Sequence, residues 1–238
     1  MANTNVVNHA GKTLALVESS LPYEITNELE TLGAYDFGGK PVDSMTAHPK
    51  ICPRTGELHF IGYGSLTSPY VSYHRANASG ELIIDRGVHV PKLTMMHDFA
   101  LSAEHVVLMD LPIVFRLDIA RNSSRDLPYR WATTTAPGSE CCAAMTHTVR
   151  SAGLISIRVT FFTSSTPLIR PQTVTKLLCC KAARYTELWR NDGTPGSYAM
   201  MWSWTINLTR GTVTEEQIDE RAVEFPRIDD RLVGLPAR

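Results

Sequence analysis

Apolar and polar residues alternate over short runs along most of this chain, and turn-forming residues separate the runs. In "TGELHFIGYG", Leu58, Phe60 and Gly62 fall on one side, with turn signals at both ends. In "PYVSYHRANASGELIID", Val71 and Tyr73 alternate with Ser72 and His74, and Asn77-Ala78-Ser79-Gly80 separates that run from the next. A period of two broken in this way predicts strand, turn, strand. "EHVVLMDLP" is an apolar run of strand length closed by Pro112. In "WSWTINLTRGTVTEEQI", Trp202, Trp204, Ile206 and Leu208 alternate, Thr209-Arg210-Gly211 turns, and Val213 starts a return strand. The 3.6-residue period of an amphipathic helix is scarce. Short strands joined by tight polar turns predict an all-β sandwich, barrel or propeller. No strict internal repeat selects among them.

The pattern breaks between residues 132 and 181. That stretch holds 6 charged residues in 50, against 41 in the other 188, and Glu140 is its one acid. It also carries ten threonines and four of the five cysteines. Alternation is poor there, so this segment is expected to be irregular. Read by composition alone, it is a Thr- and Ser-rich surface insertion.

Composition narrows the function classes. With 238 residues the chain has ample length for a core, and 43% hydrophobic and 20% charged residues are the values of a globular protein. A net charge of −1 gives no footprint for nucleic acid. No run of 18 apolar residues predicts a transmembrane helix, and the N-terminal "MANTNVVNHAGK" lacks the pattern of a secretory signal. The cytoplasm is therefore the expected location. Cys52 stands alone, and Cys141-Cys142 and Cys179-Cys180 are adjacent pairs without C-x-x-C spacing, so unpaired thiols are expected rather than a zinc site.

Among eight histidines, two stand out by context. His48 lies in "MTAHPK", before a proline near a strand end, and His97 lies in "TMMHDFAL", between an apolar run and Asp98. Imidazoles hold iron, zinc or copper through either ring nitrogen. Taken singly, each is as readily a satisfied core or turn histidine. His59, His74 and His105 fall within expected strands, where that plain reading is favoured. Glu18 in "LALVESSLPYEI" and Glu224 in "RAVEFPRIDDR" are carboxylates set in apolar sequence. A buried carboxylate needs a partner, and the N–H of a metal-bound histidine is a common one; surface exposure is the alternative.

Taken together, "MTAHPKICPRTGELHFIGYG", "MMHDFALSAEHVVLMDLP", "LPYRW" and "VEFPRIDDRLVGLPAR" resemble the carotenoid cleavage oxygenases, a family that includes lignostilbene dioxygenases and the retinoid isomerase of the retinal pigment epithelium. The resemblance covers residues 2–131 and 182–238. It implies a seven-bladed β-propeller with Fe(II) on its axis, held by four histidines, three of them oriented by glutamates. It implies O₂-dependent cleavage of a double bond in a carotenoid, apocarotenoid or stilbene. By resemblance, His48 is the first iron ligand and His97 the second, Glu18 is a glutamate of the outer set, and Glu224 in "EFPRID" supports the third ligand. Peripheral contact with a membrane is compatible with the family.

The resemblance also marks departures. The chain enters the family pattern partway and stops before its C-terminal His-Gly motif, so a partial propeller is expected. It divides into residues 1–131 with the first two ligand motifs, 132–181 as an aberrant segment, and 182–238 with further strands. The third-ligand motif, Phe-His followed shortly by Asn-Ala, is missing from the segment that should hold it, and His147 comes too early to replace it.

A change of reading frame accounts for the aberrant segment. "RVTFFTSSTP", Arg158 to Pro167, permits the coding CGT GTT ACG TTT TTC ACG TCA TCA ACG CCN. Read two bases later, this spells Cys-Tyr-Val-Phe-His-Val-Ile-Asn-Ala, which contains the missing motif. Family-like sequence resumes at "AARYTELWR". The resulting expectation is an oxygenase by descent that is inactive as this chain stands. The alternatives are a non-catalytic binder of apolar polyenes and an unrelated all-β metal hydrolase using His48 and His97.

Overall fold

A computed structural model describes residues 2–18, 20–40, 43–102, 105–110, 113–122, 127–132, 153–157, 168–169, 177–185, 188, 198–210, 212–224 and 226–233, with 153–157 and 168–169 described by their backbone. The chain divides into two units, Met1–Leu93 and Thr94–Arg238. Its expected all-β character holds in both.

The first unit contains two four-stranded antiparallel sheets, each in sequence order. One is formed by β1 (Asn5–His9), β2 (Lys12–Leu16), β3 (Tyr23–Ile25) and β4 (Thr31–Ala34). The other is formed by β5 (Lys50–Ile51), β6 (Leu58–Tyr63), β7 (Val71–Ala76) and β8 (Leu82–Val88). Each strand in a sheet pairs with the one before it, so no crossover connection is needed. Alternation decides which side chains reach the core. Leu14 and Leu16 of β2 pack with Leu58 and Phe60 of β6, Ala76 of β7 and Leu82 of β8, and Phe37, Met45 and Ala47 complete the cluster. Phe60 lies between two rings, 4.9 Å from Phe37 and 4.8 Å from His74 by centroids, both stacked at 18°.

Two strand histidines of this unit serve the core. His74 has a ring nitrogen 2.7 Å from the Ser72 hydroxyl and the other 3.3 Å from Asp85. His59 Nδ1 lies 2.7 Å from the Tyr73 hydroxyl, and its Nε2 lies 4.0 Å from Glu57. Burial is the main force on His59 and lowers its pKa to about 4; Glu57 opposes this and Arg75 adds to it. An unfolded histidine titrates near 6.5, so between those two values the unfolded chain binds a proton that the folded one refuses. The stability His59 allows is thus complete above pH 6.5 and is lost as pH falls towards 4. The expected loss over that window is about 3 kcal/mol. Urea unfolding at pH 7 and at 4.5 measures it, and His59→Gln should flatten the difference. An equal pH dependence in that variant would rule His59 out as its source.

The second unit holds the remaining strands: β9 (Ala100–Leu101), β10 (His105–Met109), β11 (Ile113–Phe115), β12 (Tyr129–Trp131), β13 (Gly153–Ile157), β14 (Leu168–Ile169), β15 (Leu177–Arg184), β16 (Met200–Asn207) and β17 (Thr212–Ala222). They form sheets in the orders β13-β10-β9, β11-β12 and β14-β15-β16-β17. Among the described residues, α1 (Leu117–Asn122) is the single α-helix, and a one-turn 3₁₀ helix spans Asp230–Leu232. None is long and apolar enough to cross a membrane. Trp204 and Ile206 of β16 pack with Leu178, Cys180 and Ala182 of β15 and with Ala100, Val107 and Met109. Trp204 donates its indole N–H to Glu215 at 3.0 Å, which satisfies the one polar atom its burial would otherwise strand.

The described parts of residues 132–181 are not irregular. Three strands lie wholly or partly within that segment. The backbone of β13 runs parallel to β10 from His105↔Gly153 to Met109↔Ile157, and β14 pairs with β15. The division at residue 181 cuts β15, which pairs with β16 without interruption from Leu177↔Asn207 to Arg184↔Met200. A ladder is made of backbone groups; the isoleucines of "GLISI" favour a strand, whereas "LLCCKAAR" has no β-branched or aromatic residue and is held by pairing and burial. Leu178, Cys180 and Ala182 then point to one side because they are two residues apart. Among the described residues, Cys52, Cys179 and Cys180 form no disulfide. Cys141, Cys142, Glu140 and His147 lie outside the described residues.

Candidate metal centre

His48 is carried by a strap, Ser44–His48, that lies along β6. The Thr46 N–H donates to the Ile61 carbonyl at 2.8 Å, and four residues later Lys50 of β5 pairs with His59. Ala47, His48 and Pro49 therefore stand opposite one residue of β6, Phe60. Surplus residues in an antiparallel pairing must bulge out, and this bulge holds the imidazole. The strap is pinned on the N-terminal side of His48 as well. The Met45 N–H donates to the Ser20 carbonyl at 2.9 Å, and Asn5 donates from its side chain to the Ala47 carbonyl at 2.8 Å. The His48 N–H donates to the Thr46 hydroxyl at 3.1 Å.

Glu18 follows β2 and turns toward the strap. Its Oε1 accepts the Ala47 N–H at 2.9 Å and lies 3.5 Å from the Thr46 hydroxyl. The same oxygen lies 3.8 Å from His48 Nε2, with side chains 20% and 28% exposed. A partly buried carboxylate beside an imidazole favours one position of the ring proton and raises the basicity of the ring. The structure thus brings together the pair Glu18 and His48. An imidazole and a carboxylate together suit a divalent ion of intermediate softness such as iron or zinc.

His97 belongs to the second unit and is half-buried, between the buried residues Met96 and Phe99 and their half-buried neighbour Asp98. Its segment is fixed on both sides. The Met95 N–H donates to the Ile113 carbonyl at 2.9 Å, and beyond it Ala100 pairs with Val107. Asp98 accepts the N–H of Phe99 at 2.7 Å. Glu224 lies on the surface of the same unit after β17 and accepts a short hydrogen bond from the Tyr185 hydroxyl. Burial, then this carboxylate, pushes the Tyr185 pKa up to about 12. Asn5, Ser44, Thr46 and Tyr185 have parts in these arrangements that the sequence reading missed. Each acts on a residue at least 15 positions away or through the backbone, and no local pattern encodes that.

Known proteins match this chain over its whole length. The family described as retinal pigment epithelial membrane protein, RPE65, matches residues 1–138. A carotenoid cleavage oxygenase of Mycobacterium tuberculosis is 32% identical over 99% of this chain and 55% of its own length. Carotenoid 9,10(9',10')-cleavage dioxygenase 1 of Phaseolus vulgaris is 41% identical over 48% of this chain and 22% of its own length. Of the solved structures, the lignostilbene dioxygenase of Pseudomonas brassicacearum has a TM-score of 0.74 and 25% identity, over 99% of this chain and 51% of its own. A cobalt-substituted apocarotenoid oxygenase of Synechocystis has a TM-score of 0.77 at 20% identity, over 100% of this chain and 52% of its own, which shows a shared fold. The chain belongs to the RPE65 and carotenoid cleavage oxygenase family. It spans about half the length of the relatives that match it from end to end.

Proposed function

We propose that this chain is part of an Fe(II)- and O₂-dependent oxygenase lineage that cleaves a carbon–carbon double bond in a carotenoid, apocarotenoid or stilbene, and that the chain as it stands is inactive. The observation that carries the reading is the Glu18 carboxylate facing His48 on a pinned bulge, in a chain 32% identical to a carotenoid cleavage oxygenase over 99% of its length. His48 and His97 are the proposed iron ligands. Glu18, 3.8 Å from the His48 ring, is proposed to favour one position of its proton, and Glu224 is the carboxylate proposed to support a third histidine. Bound iron would supply the binding and activation of O₂. The protein's own work is to keep the imidazoles neutral and aimed, and to offer an apolar polyene or stilbene a dry site. The four-stranded sheets are proposed as blades of a seven-bladed propeller, with residues 1–131 and 182–238 as its family-like parts.

Inactivity follows from the third ligand, which the segment 132–181 does not encode in its present frame. The test joins the gene to the protein. The nucleotides for Arg158–Pro167, read two bases later, should spell Cys-Tyr-Val-Phe-His-Val-Ile-Asn-Ala. The purified chain, given Fe(II) and O₂, should convert neither an apocarotenal nor a hydroxystilbene to carbonyl products. Turnover by this chain would overturn the claim of inactivity, and a different out-of-frame peptide would overturn its cause.

A further inference from the structure

The way Ser44 grips β6 assigns a task to two residues outside the set of proposed ligands. The Ser44 hydroxyl donates to the Tyr63 carbonyl at 3.0 Å and accepts the Tyr63 N–H at 3.0 Å. One side chain thus satisfies both backbone groups of a strand residue, which a neighbouring strand would ordinarily do. Ser44 is 6% exposed, so water cannot take over those bonds without entering the core. The strap is then held to β6 twice, at Tyr63 through Ser44 and at Ile61 through Thr46.

The close approach needs a glycine. A Cβ at Gly62 would lie 2.7 Å from the Ser44 carbonyl oxygen, 3.1 Å from its Oγ and 2.8 Å from the Ser72 Oγ. The first of these atoms is backbone, so an alanine at position 62 would push the strap itself outward. His48 begins the far side of the same strap, four residues from Ser44, and its 3.8 Å approach to Glu18 depends on where the strap lies.

We infer that Ser44 and Gly62 are positioning residues for His48: the glycine opens the seat, the serine clamps the strap into it, and together they hold the imidazole against Glu18. This rests on the proposed role of His48 as a metal ligand. Displacing the support of a ligand typically lowers metal affinity about 10- to 100-fold, without removing any donor.

The experiment uses the full chain with Co(II) as probe and compares wild type, Ser44→Ala, Ser44→Thr, Gly62→Ala and His48→Ala. Amide hydrogen exchange without metal reads the clamp, and Co(II) titration reads the ligand. Ser44→Ala is expected to speed exchange at Tyr63 and Thr46 while the β7–β8 amides stay protected, and to weaken Co(II) binding about 10-fold. Gly62→Ala should do the same, and Ser44→Thr, which keeps the hydroxyl, should restore both readouts. Unchanged exchange in Ser44→Ala overturns the inference. So does faster exchange with wild-type Co(II) affinity, provided that His48→Ala loses affinity. If His48→Ala binds Co(II) as wild type does, the metal reading itself fails, and the exchange data alone then decide whether Ser44 clamps the strap.

Discussion

Phe60→Ala is expected to destabilise the first unit by about 3–5 kcal/mol, the cost of emptying a fully buried aromatic site. Phe60 is 0% exposed and is enclosed by Leu14, Leu16, Met45, Leu58 and the stacked rings of Phe37 and His74. Its neighbours come from both sheets of the unit, so the cavity cannot close by a shift of one side chain. The loss adds two ring contacts to the transfer term, each worth roughly 0.5–1.5 kcal/mol. Denaturant unfolding of the full chain, followed by amide exchange in β6 and β7, measures the effect. Leu66→Ala, at a position 62% exposed, serves as the control and should change stability by less than about 0.5 kcal/mol. A Phe60→Ala loss below about 1 kcal/mol would mean that the two sheets do not share one core.

Much of this architecture can be read from the sequence where alternation and turn chemistry agree. Val71–Ala76 and Leu82–Val88 were visible because apolar positions alternate and an Asn-to-Gly turn separates them. The hairpin of Met200–Asn207 and Thr212–Ala222 was visible for the same reason. The hairpin of Asn5–His9 and Lys12–Leu16 was not. Its two-residue turn is Ala10-Gly11, both with positive φ of 51° and 76°, and alanine does not advertise that conformation as asparagine would. The helix Leu117–Asn122 is too short to establish a 3.6-residue period.

The candidate site was legible in part. His48, His97, Glu18 and Glu224 stood out by their settings and by resemblance. The strap that presents His48 could not be foreseen, because Ser44 meets Tyr63 across 19 positions and Asn5 meets Ala47 across 42. The described parts of residues 132–181 differ from expectation for another reason. Their composition spoke of irregular chain, whereas β15 runs through the boundary on backbone pairing and a row of small apolar residues.

Replacing His48 and His97 together by alanine is expected to lower Fe(II) affinity by at least about 100-fold, since removing donors must cost at least as much as disturbing their supports. The carboxylates that remain are hard ligands and do not by themselves favour iron over magnesium or calcium. The double substitution should leave the two cores intact, because neither histidine is among their packed residues. The most direct measurement is Fe K-edge X-ray absorption on the anaerobically Fe(II)-loaded full chain. The account predicts imidazole scattering in the wild-type spectrum, weaker scattering in each single variant, and its disappearance in the double variant. An unchanged spectrum in the double variant would contradict it.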